Sequence, residues 1–478
     1  MSRATVDARR AAHEAAVARD LELLNLPPRN WPESRVGPDG EPMLDVLVIG
    51  AGMCGIAAAA ALIFRGIRNI LLVDRSPAGR EGPWVTYARM ETLRSPKHLT
   101  GPAMGIPSLT FRAWYEAIHG TEGWERLGKI PNAVWNDYLL WLRRVLALPV
   151  ENEVEVTGLT PKDGIVEVET GSGARLIHAR RVVLATGRDG TGGAHIPDSI
   201  DRTLWPDLAA HTMEDIDFAH LRGSRIAVIG GGASAWDNAA TALEAGAARV
   251  DMFVRRTVLP QINKGRGSSY PGFFQGFPGL DDAERWSLTF YKEDYQAPPP
   301  RETVLRTIRH PNFALHLGTP ISEARRAGNE VVLRFASDGS LQRADFLILG
   351  TGFLIDLHGC RELRALVPEI ATWADRYTPP PEQRHPDLGR FPYLGPGFEF
   401  LERRPGACPD LSRIHLFNFG ADASLGAVSG DIPGVVFGAD RLAAAMVEAF
   451  FREDLAHVRR ALDAFAEPEL EGTPFFAL

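Results

Sequence analysis

The chain has 478 residues, of which 45% are hydrophobic and 23% charged, and a formal net charge of −8. That length exceeds what one hydrophobic core supports and predicts two or three domains, while the acidic balance excludes a general nucleic-acid binder. Three dispersed cysteines, Cys54, Cys360 and Cys408, form no CxxC pair, which excludes a dithiol redox centre, and no apolar run reaches membrane-spanning length.

Residues 1–40 read as an N-terminal helical extension up to about Leu24, followed by a proline- and glycine-rich loop. Its basic residues Arg3, Arg9 and Arg10 alternate with Asp7, Glu14 and Asp20 and precede no apolar core. Neither a secretory signal nor a transit peptide is expected, and cytoplasmic residence is the default.

From Leu44 to Asp74 an apolar strand, a glycine turn, an alanine-rich helix and a second strand ending in an acid follow without interruption. This is the pattern of a dinucleotide-binding βαβ unit. Gly50 suits the tight turn, Gly52 lets the backbone approach a pyrophosphate, and Gly55 lets the helix sit close on the sheet. Asp74 is placed for a ribose hydroxyl pair. The segments after it, through Trp84 and from Met90 to Phe111, are long loops of the kind that carry function beside a cofactor. Lys129 to Val150 returns to helical spacing, with Trp135, Tyr138, Leu139 and Leu142 on one side.

Alternating runs between Glu153 and Glu169 predict antiparallel strands, and a buried strand from Arg181 ends at Ala185, Thr186 and Gly187. A second βαβ unit spans Arg225 to Arg256, with Gly230, Gly232, Ser234 and Ala235 in its turn. Here Arg255 and Arg256 stand where a carboxylate would otherwise sit. An arginine at this place can pair with a 2′-phosphate; the alternative is a solvated basic pair at a strand end. The proline- and aromatic-rich stretch 259–300 breaks the αβ rhythm. It reads either as an insertion capping the cleft or as packing under the second domain. A further strand ends at Gly350, Thr351 and Gly352, another near Asp422, and Asp431 is the expected N-cap of the last long helix.

With these residues in view, the chain resembles the two-dinucleotide-binding-domain flavoproteins, and within them the class B flavin monooxygenases, which include the ornithine and lysine N-hydroxylases. The resemblance implies an α/β fold with two Rossmann-like domains, one for FAD and one for NADPH, the FAD domain being discontinuous. The expected divisions are 41–187 for the first FAD part, 188–340 for the NADPH domain with its insertion, and 341–478 for the second FAD part and C-terminal helix. Glu81 to Trp84 is similar to the family's GGxW turn. Leu93 to Lys97 is similar to its TNxxK loop, with Arg94 in place of the asparagine. Trp205 to Asp215 matches the FxGxxxHxxx(Y/W) fingerprint at His211, but Trp205, Asp207 and Asp215 replace its other positions.

The resemblance therefore implies Lys97, Arg94 and His211 near the reacting centre. Gly50, Gly52, Gly55, Asp74, Arg75, Trp84, Gly187 and Asp422 would hold FAD, and Gly230, Gly232, Ser234, Ala235, Arg255, Arg256 and Gly352 would hold NADPH. It also implies that NADPH reduces FAD and that a peroxyflavin passes one atom of O2 to a small, nucleophilic N- or S-containing substrate. The alternative is an NAD(P)H-dependent reductase or oxidase that delivers electrons to a quinone, a carrier protein or oxygen. No metal site, nucleic-acid partner or membrane partner is expected, a homo-oligomer is compatible with the sequence, and the substrate is not named by it.

Overall fold

The computed structural model describes residues 3–171 and 175–477. Strands β1 (Leu44–Ile49) and β2 (Ile70–Asp74) flank helix α2 (Met53–Ile63), preceded by helix α1 (Arg3–Leu23). Every residue of α2 is buried, because its small alanine side chains let it lie flat between the sheet and the helices outside it. After helices α3 (Phe111–Arg126) and α4 (Asn132–Val145) come β3 (Val150–Asn152), β4 (Val156–Lys162), β5 (Ile165–Thr170) and β6 (Leu176–Leu184).

These strands form one sheet in the order β3-β2-β1-β6-β5-β4. Strand β6 has a divided edge. Its first half pairs antiparallel with β5, and its last residues, Val182 to Leu184, pair in parallel with a strand contributed from Ile414–Leu416. That pairing makes the first unit discontinuous in sequence: the chain leaves it after Leu184 and returns more than two hundred residues later.

Between departure and return lie β7 (Ala209–His211), β8 (Arg225–Ile229), helix α5 (Ala233–Glu244), β9 (Arg249–Val254), β10 (Phe313–Leu317), β11 (Ile321–Ala327), β12 (Glu330–Phe335), β13 (Leu341–Ala344) and β14 (Phe346–Leu349). The second sheet runs β10-β9-β8-β14-β7, all in parallel. Strands β11, β12 and β13 form a separate antiparallel meander. The boundary expected at residue 340 is therefore corrected: β13 and β14 pair inside the second unit, and the return crossing follows Leu349.

The two crossings run side by side. Ala194 bridges Phe353 in antiparallel fashion, the His195 N–H donates to the Gly352 carbonyl at 2.9 Å, and the Asp356 N–H donates to the Thr191 carbonyl at 2.8 Å.

The stretch 259–300 is helical, chiefly Pro271–Gly276 and Asp282–Tyr295. It packs outward onto the returning segment: Trp286 shares a buried cluster with Ile355, Trp373, Leu388, Phe391 and Ala423. The last long helix, Val435–Glu453, starts later than expected. Gly434 is its N-cap, and Asp431 contributes its backbone carbonyl to the N–H groups of Gly434 and Val435 instead of a side-chain cap.

The N-terminal extension is tied down at both ends. Val17 of α1 is buried, and Asp454 accepts from the Glu33 N–H at 3.0 Å and from Arg35 at 2.8 Å. Among the described residues, no helix is long and apolar enough to cross a membrane.

Candidate functional site

Both glycine turns have the shape a dinucleotide requires. Gly50 and Gly230 adopt φ of +101° and +127°, a region that L side chains avoid, and a Cβ on either would strike a carbonyl oxygen, of Ala185 or Gly350. A Cβ at Gly55 would strike the Gly50 carbonyl, so the close helix approach read from the sequence is present. The middle glycines face outward: nothing lies within 4 Å of a Cβ at Gly232, and at Gly52 the nearest atom is the Gly82 Cα at 3.7 Å. Helices α2 and α5 begin at Gly52 and Gly232 without a side-chain cap, leaving their first N–H groups to an external acceptor.

Asp74 closes the first turn. Its Oδ2 accepts from the Ala51 N–H and its Oδ1 from the Ser76 N–H, both at 2.8 Å. Arg75 reaches from the same strand end to Asp189 in the first crossing, at 2.5 Å. The Glu81–Trp84 turn is braced by a buried acid: Glu81 pairs with Arg143 and accepts from Asn152 at 2.6 Å and from the Gly79 N–H at 2.8 Å. Gly82 thereby comes up against Gly52.

Several polar atoms at this place are buried and lack a partner: Trp84 Nε1, Asn132 Oδ1 and Asp422 Oδ1. Burial, reinforced by nearby Asp431, pushes the Asp422 pKa up. Orphaned groups beside an open glycine turn are what a hydroxyl-bearing ribityl chain and a flavin edge would satisfy, so the residues present fit FAD.

Two residues that sequence reasoning missed organise this wall. Asn132, at the start of α4, donates to the carbonyls of Trp84 and, at 3.3 Å, Ala88. Asn418, fully buried, donates to Thr186 Oγ1 at 3.0 Å and accepts from the Gly420 N–H, while its carbonyl takes the Ser429 hydroxyl at 2.7 Å. It joins the first crossing to the returning segment. The one available signal was an asparagine inside a buried apolar run.

In the second unit Ser234 and Arg255 are exposed, while Arg256 is half-buried and donates to the Asp294 carbonyl at 3.0 Å. Ala235 is buried against Gly350, and Gly352, at φ +87°, has open space around it.

The three residues expected at the reacting centre are placed differently from one another. The Lys97 ammonium is engaged by the Trp124 and Leu127 carbonyls at the end of α3, at 2.6 and 2.5 Å, and lies over the Trp124 ring. His211 is fully buried at the end of β7. Its Nδ1 accepts from the Met213 N–H at 3.3 Å, and burial lowers its pKa to about 4, so it is a neutral ring at physiological pH. Arg94 projects into the space between the units and donates to the Pro298 carbonyl of the insertion. The structure does not bring these three side chains into one cluster.

The cysteines are free, and Cys54 donates its thiol to the Ser429 carbonyl, burial raising its pKa to about 12. No dithiol chemistry competes with the nucleotide sites.

Comparison with known proteins agrees with this geometry. Residues 47–267 match the pyridine nucleotide-disulphide oxidoreductase family. The FAD-dependent urate hydroxylase of Xanthomonas campestris pv. campestris is 40% identical over 461 residues, 96% of this chain and 97% of that one. Among solved structures, the ornithine N-hydroxylase of Kutzneria sp. 744 superposes with a TM-score of 0.65 at 16% identity, covering 85% of this chain and 100% of its own. The L-lysine 6-monooxygenase of Pseudomonas syringae gives 0.63 at 19% identity, covering 85% and 99%.

Proposed function

The chain belongs to the FAD-dependent monooxygenase family that includes the urate hydroxylase of Xanthomonas campestris, and from that premise we propose that it is an NADPH-consuming hydroxylase of urate or a closely similar acidic purine. The observation that carries the substrate is the 40% identity sustained over 96% of the chain. The fold by itself names no substrate.

On this reading FAD occupies the first unit, formed by residues 41–187 and the segment after Leu349, and NADPH occupies the second. Gly50, Gly52 and the uncapped start of α2 receive the FAD pyrophosphate. Asp74 holds the turn in register and presents an acceptor to the ribose, and Asp422 offers its orphaned oxygen to the ribityl side. Arg75 and Gly187 close the sheet edge, and Trp84 walls the ring. Gly230, Gly232, Ser234 and Ala235 receive the NADPH pyrophosphate, Gly352 leaves room at the crossing, and Arg255 and Arg256 face the 2′-phosphate.

Bound FAD, reduced by the nucleotide, supplies the activation of O2. The chain's own residues would hold the two nucleotides and exclude water. The buried links through Asn132 and Asn418 keep the flavin-side walls rigid. The helices of 259–300 pack on the returning segment and brace it.

The test is to supply urate to the yellow holoenzyme and follow NADPH and O2 together. Urate should accelerate both with one-to-one stoichiometry, and under ¹⁸O2 one labelled atom should enter the product. Consumption of NADPH that is indifferent to urate, with all oxygen recovered as hydrogen peroxide, would identify an oxidase and overturn the reading.

A further inference from the structure

Arg94 differs from most of the cations that reach between the two units, as Arg441 does with its single contact to the Gln275 carbonyl. Arg306 pairs with Glu244 and lies 3.7 Å from Glu91, Lys129 pairs with Glu302 at 2.8 Å, and Arg285 pairs with Asp282. Arg89 is held by the carbonyls of Tyr87, Thr212 and Glu214. Arg94 has one backbone contact, to Pro298, and among the described residues no carboxylate stands within ion-pair distance of it.

Its base is rigid. The preceding Leu93 is buried and its N–H donates to the Ile130 carbonyl at 2.8 Å, Thr92 bridges Pro131, and the Asn132 N–H donates to the Glu91 carbonyl. Its tip donates to the Pro298 carbonyl, and two acids, Asp237 and Asp431, favour its charge from longer range. Asp237 lies in α5, just past the second glycine turn. Asp431 lies beside Ser429, whose carbonyl receives the thiol of Cys54 in the first turn of α2.

We propose that Arg94 is the recognition point for the acidic edge of the substrate, a planar heterocycle that has lost a ring N–H proton, because its fork enters the junction of the two units from an anchored loop with most of its donors unused. The proposal rests on the purine-hydroxylase reading above.

A guanidinium carries five N–H donors in a planar fork, and one carbonyl leaves a pair free for two adjacent acceptors. A deprotonated oxopurine presents such a pair, a ring nitrogen beside a carbonyl oxygen. The two pyrophosphates do not need this cation, since the uncapped N-termini of α2 and α5 supply their donors.

The experiment uses holoenzyme carrying Arg94→Gln or Arg94→Lys, each checked for full FAD content. Two probes are used: urate, a monoanion at neutral pH, and hypoxanthine, neutral there. Loss of a charge-assisted fork should raise the KM for urate by about ten- to a hundredfold, with kcat changed much less. Lysine should recover only part of the loss, because it keeps the charge without the fork. Hypoxanthine should discriminate little between wild type and variants. An equal rise in KM for NADPH would assign Arg94 to the nucleotide and overturn the proposal, as would an unchanged KM for urate.

A second measurement separates this proposal from the reading beneath it. Urate is titrated into oxidised holoenzyme without NADPH, and binding is read from the flavin absorbance. Binding that depends on Arg94 in an enzyme that forms no urate product keeps the anion site and removes the hydroxylase reading. Hydroxylation of urate at undiminished affinity in Arg94→Gln keeps the reading and removes the site.

Discussion

The carboxylate of Asp74 accepts the backbone N–H of Ala51 at 2.8 Å, so the end of β2 and the glycine turn after β1 move as one piece. A turn held this way is preorganised for a pyrophosphate and a ribose together. Asp74→Ala should remove the brace and the ribose acceptor at once, weakening FAD by about ten- to a hundredfold, the usual worth of one charged hydrogen bond. Flavin titration of apoprotein would show it, and stoichiometric FAD surviving prolonged dialysis of the variant would contradict it.

Lys97 carries a prediction that differs from the one its motif suggests. Its ammonium caps the carbonyls at the end of α3 and sits 4.7 Å from the Trp124 ring centre. A cation at a helix C-terminus complements the dipole there. Lys97→Ala should therefore cost about 1–3 kcal/mol of stability, from charged hydrogen bonds lost at a half-buried site. It should leave the ratio of product to NADPH consumed near that of wild type. A large rise in hydrogen peroxide at unchanged Tm would return Lys97 to the reacting centre.

What the sequence revealed follows the reach of each signal. The two glycine turns were legible because the close contacts of Gly50 with Ala185 and Gly55 with Gly50 leave no room for a side chain. The return of the chain to the first sheet was legible only through a family resemblance, since nothing local in Ile414–Leu416 says that it pairs with Val182–Leu184. The boundary near 340 failed for a related reason. A strand's apolar run states that it is buried, not which sheet it joins, and β13 and β14 join the second unit. Asn132, Asn418 and the stretch 259–300 owe their roles to tertiary contacts that no spacing records.

At the end of the first sheet away from the glycine turn, Arg180 is wholly buried between Asp45, Glu453 and Asp454, with the Phe450 ring 4.4 Å away. The two aspartates respond oppositely. Burial raises the Asp45 pKa to about 6, because Arg180 only partly offsets it. Burial also acts on Asp454, but hydrogen bonds from Arg180, the Glu33 N–H and Arg35 prevail and hold its carboxyl below the usual range.

A lowered folded pKa means that the Asp454 contribution is present above the unfolded pKa and disappears as pH falls through the folded one. For Asp45 the sign reverses: its ionised form opposes folding, and protonation on descent toward pH 6 and below relieves the cost. Asp454→Asn should thus lose about 3–5 kcal/mol at pH 7, as in breaking a buried ion pair. Asp45→Asn should be near neutral or stabilising there, an advantage that disappears as pH falls below about 6, whereas the Asp454→Asn loss should persist down to pH 4 because the folded carboxyl titrates below the usual range. Denaturant melts at pH 7, 5.5 and 4 would check it; equal losses for both variants at pH 7 would refute the distinction.

The basic pair after β9 yields the last prediction, and the structure makes its members unequal. Arg256 spends a donor on the Asp294 carbonyl at 3.0 Å, holding the insertion against the strand end, while Arg255 is exposed where β9 stops. A 2′-phosphate arriving at this strand end would meet Arg255 with its fork free, and the charged bonds formed would set the preference for NADPH. Arg255→Ala should raise the KM for NADPH by about ten- to a hundredfold and move the KM for NADH less than about twofold. Arg256→Ala should have a smaller effect on the nucleotide ratio and should loosen the 259–300 helices, visible as faster proteolysis of that segment. If Arg255→Ala weakens both nucleotides equally, the residue supports the strand end and does not read the phosphate, and the 2′-phosphate reading of this pair fails.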